Sequence, residues 1–236
     1  MSKIIEIRGL SKAYGKNQVL NNLSLEYEAG QFIGLLGPNG CGKTTLIKIM
    51  TGLIKDYSGK VLIDGQEPGV HTKNIVAYLP EQTYLPAWMR PVDAIKYMDD
   101  FYEDFDKDKA LAMLDTFLLP PKQKIKSMSK GMQEKLQLLL VVCRNAKLYI
   151  LDEPIGGVDP AARDFILSAI MGNLPKDSTV LISTHLIHDV EGIFDTALMI
   201  GNGVVLKNEK VVEGKIGDKT IEDVFKEVFG YAWQIN

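Results

Sequence analysis

The sequence predicts an α/β fold with a mostly parallel central sheet, an N-terminal antiparallel β side sheet and a helical insertion. Three observations predict it. Short apolar, β-branched runs recur at 4–7, 19–27, 32–36, 60–64, 75–79, 147–151, 178–183, 196–200 and 203–206. Helical patterns alternate with these runs, as a parallel sheet with crossover helices requires. From about residue 83 to 145 the strand pattern stops and helical spacing replaces it.

The early runs are separated by turn signals, Gly15-Lys16-Asn17 and Asp64-Gly65, and are therefore expected to pair antiparallel as a side sheet. The buried run 32–36 leads into a glycine-rich turn. Leu46, Ile47, Met50 and Leu53 then repeat as a helix lying on the sheet. In the insertion, Pro91 suits a first helical position, and Ala94, Ile95, Met98 and Phe101 or Tyr102 continue the pattern. A second helix is expected over 107–118, stopped by Pro120-Pro121. A third is expected from Ser129 to about Asn145. Its Leu136 and the run Leu138 to Cys143 are apolar nearly all round, so it should be buried. Ile221, Val224, Phe225 and Val228 make a C-terminal amphipathic helix. The expected division is one domain over 1–236. Residues 1–82 and 146–215 form its α/β core, 83–145 its helical subdomain and 216–236 its C-terminal helix.

Bulk properties exclude several classes. The chain has 236 residues, 46% apolar and 24% charged, which is globular composition. A net charge of −3 provides no basic footprint, so no nucleic-acid partner is expected. No apolar run approaches the roughly 20 residues that span a bilayer. Lys3 interrupts the first residues too early for a signal peptide. Cys41 and Cys143 lack CxxC spacing and are read as free thiols of a reducing cytosol. Oxidation or alkylation of Cys41, which lies in the glycine-rich turn, is expected to block ligand binding. Asp99, Asp100, Glu103, Asp104, Asp106 and Asp108 form an acidic cluster without a glycine-turned Ca²⁺ loop, and a solvated helix surface is the expectation.

Gly37-Pro38-Asn39-Gly40-Cys41-Gly42-Lys43-Thr44 is the G-x-x-x-x-G-K-[ST] phosphate-binding loop, placed between a strand and a helix as the motif needs. Glycines let backbone N–H groups wrap a phosphate chain. The helix beginning near Gly42 points its positive dipole end at the same anion. Lys43 can reach β- and γ-phosphates as a point charge, and the Thr44 hydroxyl is placed to ligate Mg²⁺. The run 147–151 ends in Asp152-Glu153. One acid at a strand end can hold Mg²⁺, here Asp152, and a second can orient or deprotonate an attacking water, here Glu153.

The run 179–184 delivers His185 to a strand's carboxyl end, where ligands of parallel sheets sit. A neutral His185 could hydrogen-bond a γ-phosphate or its attacking water. Gln82 follows another strand and could meet Mg²⁺ or water. Tyr14 could stack on an adenine face. Ser129 is a plausible N-cap and Gly131 keeps the helix start accessible, which makes a second anion site.

With these motifs in this order, the chain resembles the nucleotide-binding subunit of an ATP-binding cassette (ABC) transporter over residues 3–210. The resemblance implies a P-loop NTPase fold and ATP hydrolysis, with ATP and Mg²⁺ bound. Tyr14 resembles the adenine-stacking aromatic, Gly37 to Thr45 resembles Walker A, and Gln82 the Q-loop. Asp152 and Glu153 resemble Walker B, Gly157-Val158-Asp159 the D-loop, and His185 the switch histidine. The signature reads Met128-Ser129-Lys130-Gly131-Met132, which resembles bacterial ABC-2 type exporters. Ile155 stands where a small hydroxyl residue is frequent.

The resemblance further implies a head-to-tail pair, homo- or heterodimeric. Each ATP would touch the phosphate loop of one chain and Ser129, Gly131 and Asp159 of the other. Hydrolysis would then power an integral membrane subunit. Tyr84, Leu85, Trp88 and Met89 are candidates to line the groove that receives it. The implied location is cytoplasmic, peripheral on the inner face of the cell membrane. A soluble ABC ATPase with a regulatory or nucleic-acid-related role is the alternative.

Overall fold

The computed structural model describes residues 3–156 and 160–230. Six strands form the central sheet: β3 (Phe32–Leu36), β5 (Val76–Leu79), β6 (Leu148–Asp152), β7 (Thr179–Thr184), β8 (Thr196–Gly201) and β9 (Val204–Lys210). Their spatial order is β5-β6-β7-β3-β8-β9. All neighbours are parallel except the edge strand β9, which is antiparallel to β8. A separate antiparallel sheet, ordered β2-β1-β4, contains β1 (Lys3–Tyr14), β2 (Asn17–Glu28) and β4 (Ser58–Ile63). The expected α/β class, parallel core and β side sheet are all present. A two-stranded hairpin, β10 (Lys215–Ile216) with β11 (Lys219–Thr220), was not anticipated.

Both faces of the central sheet are covered, so its strands read as continuous apolar runs. Period-two alternation sorts their side chains. Leu148 and Ile150 join the core beneath helix α1 (Lys43–Met50) and the side sheet, while Tyr149 and Leu151 join the core on the other face. Gly34 interrupts β3 because a Cβ there would lie 2.6 Å from the Phe194 ring. A short helix, α2 (Val70–Lys73), precedes β5.

Between β5 and β6 the chain is helical: α3 (Pro91–Phe101), α4 (Lys107–Thr116) and α5 (Lys130–Val142). Pro91 sits at the first turn of α3. The Asp106 carboxylate accepts from Lys109 N at the start of α4, and Ser129 Oγ accepts from Met132 N at the start of α5. From Leu136 to Val142 every residue of α5 is buried, as its all-round apolar pattern requires. Arg144 ties this insertion to the core. Its guanidinium meets Asp104 at 2.5 Å, donates to the carbonyls of Lys73 and Asn74, and stacks 3.7 Å from the Tyr102 ring centre.

Of the acidic cluster, Asp100, Glu103 and Asp108 are exposed as expected, and the other three have structural partners. Asp99 pairs with Lys107, Asp104 with Arg144, and Asp106 caps α4. Among the described residues no group of three or more His, Cys, Asp or Glu side chains could hold a metal ion. Helices α6 (Pro160–Asn173) and α7 (Ile221–Phe229) complete the fold. No helix of the described residues is long and apolar enough to cross a membrane.

Candidate functional site

Strand order positions the site. Because β7 lies between β6 and β3, the carboxyl ends of β5, β6, β7 and β3 stand side by side. They carry Gln82, Asp152-Glu153, His185 and the 37–44 loop respectively, around a cleft of about 740 Å³. Asn39, Gly40, Gly42, Lys43, Thr44 and Thr45 line it from the loop side, with Gln82, Glu153 and His185 opposite.

The loop is shaped by sterics. Gly42 and Gly40 have φ of 109° and 79°, values that favour glycine. At Gly37 a Cβ would approach the Ile200 carbonyl oxygen to 2.3 Å, so the loop packs directly on β8. Lys43 is buried and donates to the Gly37 and Pro38 carbonyl oxygens at 2.7 and 3.2 Å. Its ammonium also stands 3.9 Å from Glu153 Oε1. Cys41 is buried, and that burial pushes its thiol pKa up against the pull of Lys43. A buried, protonated thiol is a poor nucleophile, so alkylation of Cys41 is impeded in this conformation.

Asp152 and Glu153 have different environments. Asp152 Oδ1 accepts from Ser183 Oγ at 2.5 Å and lies 3.5 Å from the Thr44 hydroxyl. Its other oxygen, Oδ2, is buried with no hydrogen-bond partner among the described residues. A free carboxylate oxygen beside a threonine hydroxyl fits a hard divalent cation, which takes oxygen ligands. Glu153 adopts φ 51°, a left-handed conformation uncommon for a residue with a side chain and concentrated at functional sites. Its backbone N–H donates to Ser183 Oγ at 3.0 Å. Ser183 therefore organises both acids. Sequence reading passed over it as a buried strand residue, although it shares a side of its strand with His185.

His185 Nδ1 is 3.0 Å from Glu153 Oε2. When Nδ1 carries the proton it donates to the carboxylate. The neutral ring then offers Nε2 as an acceptor suited to a water, and donation from Nε2 to a phosphate oxygen requires the imidazolium.

Other expected residues lie apart. Tyr14 is half-exposed at the end of β1, with the Lys12 ammonium 4.8 Å from its ring centre, and does not line the cleft; Val19 of β2 does. Ser129 and Gly131 are exposed at the start of α5 and also stand outside the cleft lining. Asp159, with Gly157 and Val158, lies outside the described residues. Lys130, Gln133, Glu134 and Gln137 of α5 line the cleft, and of these only Lys130 drew notice in the sequence. Burial raises the Glu134 carboxyl pKa, partly offset by Lys130.

A second cavity, of about 490 Å³, opens beyond β5 and is walled by Leu53, Tyr78, Tyr84, Tyr97, Tyr102 and Arg144 among others. Of the four groove candidates only Tyr84 lines it. Met89 is in the core, Leu85 is half-buried and Trp88 is exposed.

Comparison with known proteins accords with this geometry. Residues 20–156 match the family model described as ABC transporter. The chain is 31% identical over 217 residues to an uncharacterised ABC transporter ATP-binding protein of Methanocaldococcus jannaschii, covering 89% of this chain and 79% of that protein. It is 29% identical to the SkfA peptide export ATP-binding protein SkfE of Bacillus subtilis, covering 87% and 89% of the two chains. A solved ATP-binding subunit of an ABC transporter superposes with a TM-score of 0.84 at 25% identity, over 95% of this chain and 99% of that one.

Proposed function

Because the chain belongs to the ABC transporter family, as an ATP-binding subunit that hydrolyses ATP, we propose that it seats Mg-ATP in the cleft described above and drives export. One observation carries this reading. Glu153 sits between Lys43, at 3.9 Å, and His185, at 3.0 Å, at the mouth of the glycine-rich loop.

Each residue then has a task. The loop from Gly37 to Thr45, including Pro38, Asn39, Gly40, Cys41 and Gly42, wraps the phosphates with backbone N–H groups. Lys43 leaves the Gly37 and Pro38 carbonyls for the β- and γ-phosphates. Thr44, Asp152 and Gln82 are the residues that would hold Mg²⁺, which offsets phosphate charge when bound. A water oxygen bonds to the γ-phosphorus, the bond to the bridging β-phosphate oxygen breaks, and Glu153 takes the proton from the water. His185, released from Glu153, orients the water or the γ-phosphate. Tyr14, outside the cleft lining, would stack on an adenine that reaches past Val19 toward the end of β1.

Dimerisation belongs to the same proposal. Ser129 and Gly131 are exposed and stand outside the cleft lining of their own chain, which supports their serving the ATP of a partner, together with Asp159. ATP holds the pair closed and hydrolysis releases it. An integral membrane subunit docks at the aromatic cavity beside Tyr84, which makes the chain peripheral on the inner membrane face, without a nucleic-acid partner. The chain acts as one ABC ATPase domain over 1–236, with a core over 1–82 and 146–215, a helical subdomain over 83–145 and a C-terminal helix over 216–236. Export follows the signature and the peptide-export relative.

Light scattering on Glu153→Gln tests this. A shift from monomer to dimer with Mg-ATP but not with ADP is expected. ATP binding without dimerisation would replace the self-pair with a heterodimer. Absence of ATP binding would refute the reading.

A further inference from the structure

Gln137 presents a polar side chain where α5 should have an apolar one. Every other residue of α5 from Leu136 to Val142 is aliphatic, and Gln137 is buried as deeply as they are, at 2% exposure. Its Oε1 has no hydrogen-bond partner among the described residues. Leaving a buried polar atom unpaired costs about 1–3 kcal/mol, so an oxygen kept in that state needs a reason.

The position supplies one. Gln137 lines the nucleotide cleft and also a small gap of about 20 Å³ beside it. Glu81, Glu134, Asp152, Glu153 and Gly156 share that gap. A polar gap needs about 10–15 Å³ to hold one water, and this one is large enough for one and too small for a ligand. It joins four pieces of chain: α5, the segment before Gln82, the Glu153 turn and, through Ile166, α6.

We propose that Gln137 is a positioning residue of the ATPase site, acting through one bridging water that ties α5 to the turn carrying Glu153. The inference rests on the ATPase reading above. The water accepts from or donates to the Gln137 amide and hydrogen-bonds the Glu153 turn, holding its left-handed backbone at φ 51°. Because Ser129 and Gly131 begin the same helix, the tie passes the orientation of their end of α5 to the base. Gln137 lies on α5 and not in the loop assigned to the phosphates, so its removal should lower turnover while leaving nucleotide affinity in place.

The test uses the full chain, and wild-type Mg-ATP turnover is measured first. No turnover in the wild type, with no nucleotide bound, would sink the ATPase reading itself and not this inference. Given an active wild type, Gln137→Met keeps length and volume without the amide. Its kcat should fall about tenfold with KM within about twofold of wild type. Unchanged kcat, with a raised melting temperature, would show an idle unpaired amide and overturn the proposal. Gln137→Asn and Gln137→Leu form a second comparison, equal in shape and differing only in the amide. Asn should turn over at least about threefold faster than Leu. Equal rates would reduce Gln137 to packing and overturn the proposal even if Gln137→Met fails to fold.

Discussion

His185 Nδ1 and Glu153 Oε2 lie 3.0 Å apart at the ends of two adjacent parallel strands, so carboxylate and imidazole are paired with each other. Removing the carboxylate charge while keeping its shape separates binding from chemistry. Glu153→Gln should lower phosphate release by about 10²-fold or more, the range for a lost general base. ATP affinity, read by nucleotide fluorescence, should stay within about threefold. A proportionate loss of both would assign Glu153 to binding.

Ser183 makes a separate prediction, because its hydroxyl donates to Asp152 Oδ1 and accepts from Glu153 N. Ser183→Ala frees both acids without touching the phosphate loop. Half-maximal turnover should need about tenfold more Mg²⁺, the scale on which groups behind metal ligands act. A magnesium titration of the initial rate decides it. An unaltered midpoint would show that Asp152 is held well enough by Thr44 and the strand alone.

Gly37 packs its α-carbon against the Ile200 carbonyl, and a Cβ would intrude to 2.3 Å. Backbone cannot yield there cheaply, because Ile200 is fixed in β8. Gly37→Ala should therefore displace the loop by a fraction of an ångström or more and weaken ATP binding about tenfold to a hundredfold. Circular dichroism should show the fold retained. Wild-type affinity would mean that β8 accommodates the methyl.

Alkaline pH should destabilise the fold through its buried acids. Burial raises Cys143 from 9.0 to about 12, and raises Tyr149 from 10.0 to about 12. The unfolded chain releases these protons first. The stabilisation is therefore complete below about pH 9 and is lost as pH climbs toward about 12, at about 1.4 kcal/mol per pH unit for each group. Urea midpoints between about pH 8 and 10 should fall, and Cys143→Ala should flatten that decline. An equal slope in the variant would remove Cys143 as a cause.

The elements of the insertion show how far local pattern reaches. Pro91, Asp106 and Ser129 mark the starts of α3, α4 and α5 close to where proline and capping chemistry predict them. Leu53, expected as the last turn of α1, is instead exposed after the helix ends at Met50, where Gly52 takes φ 72°. The apolar period continued past the point where backbone conformation stopped the helix.

Local features were legible in the chain alone: the glycine-rich loop, the strand runs, the paired acids and the histidine, each written in contiguous residues whose chemistry needs no partner to be recognised. Adjacency came from the packing of distant elements. Strand order β6-β7-β3 brings Lys43 to within 3.9 Å of Glu153, although the whole insertion lies between them in sequence. The same packing makes Ser183 the organiser of two acids and leaves the buried Gln137 Oε1 without a hydrogen-bond partner among the described residues. Periodicity reports which face of an element is apolar, but not which other element will lie against it. Sheet order and burial, and with them the polar contacts of the site, arise from that pairing.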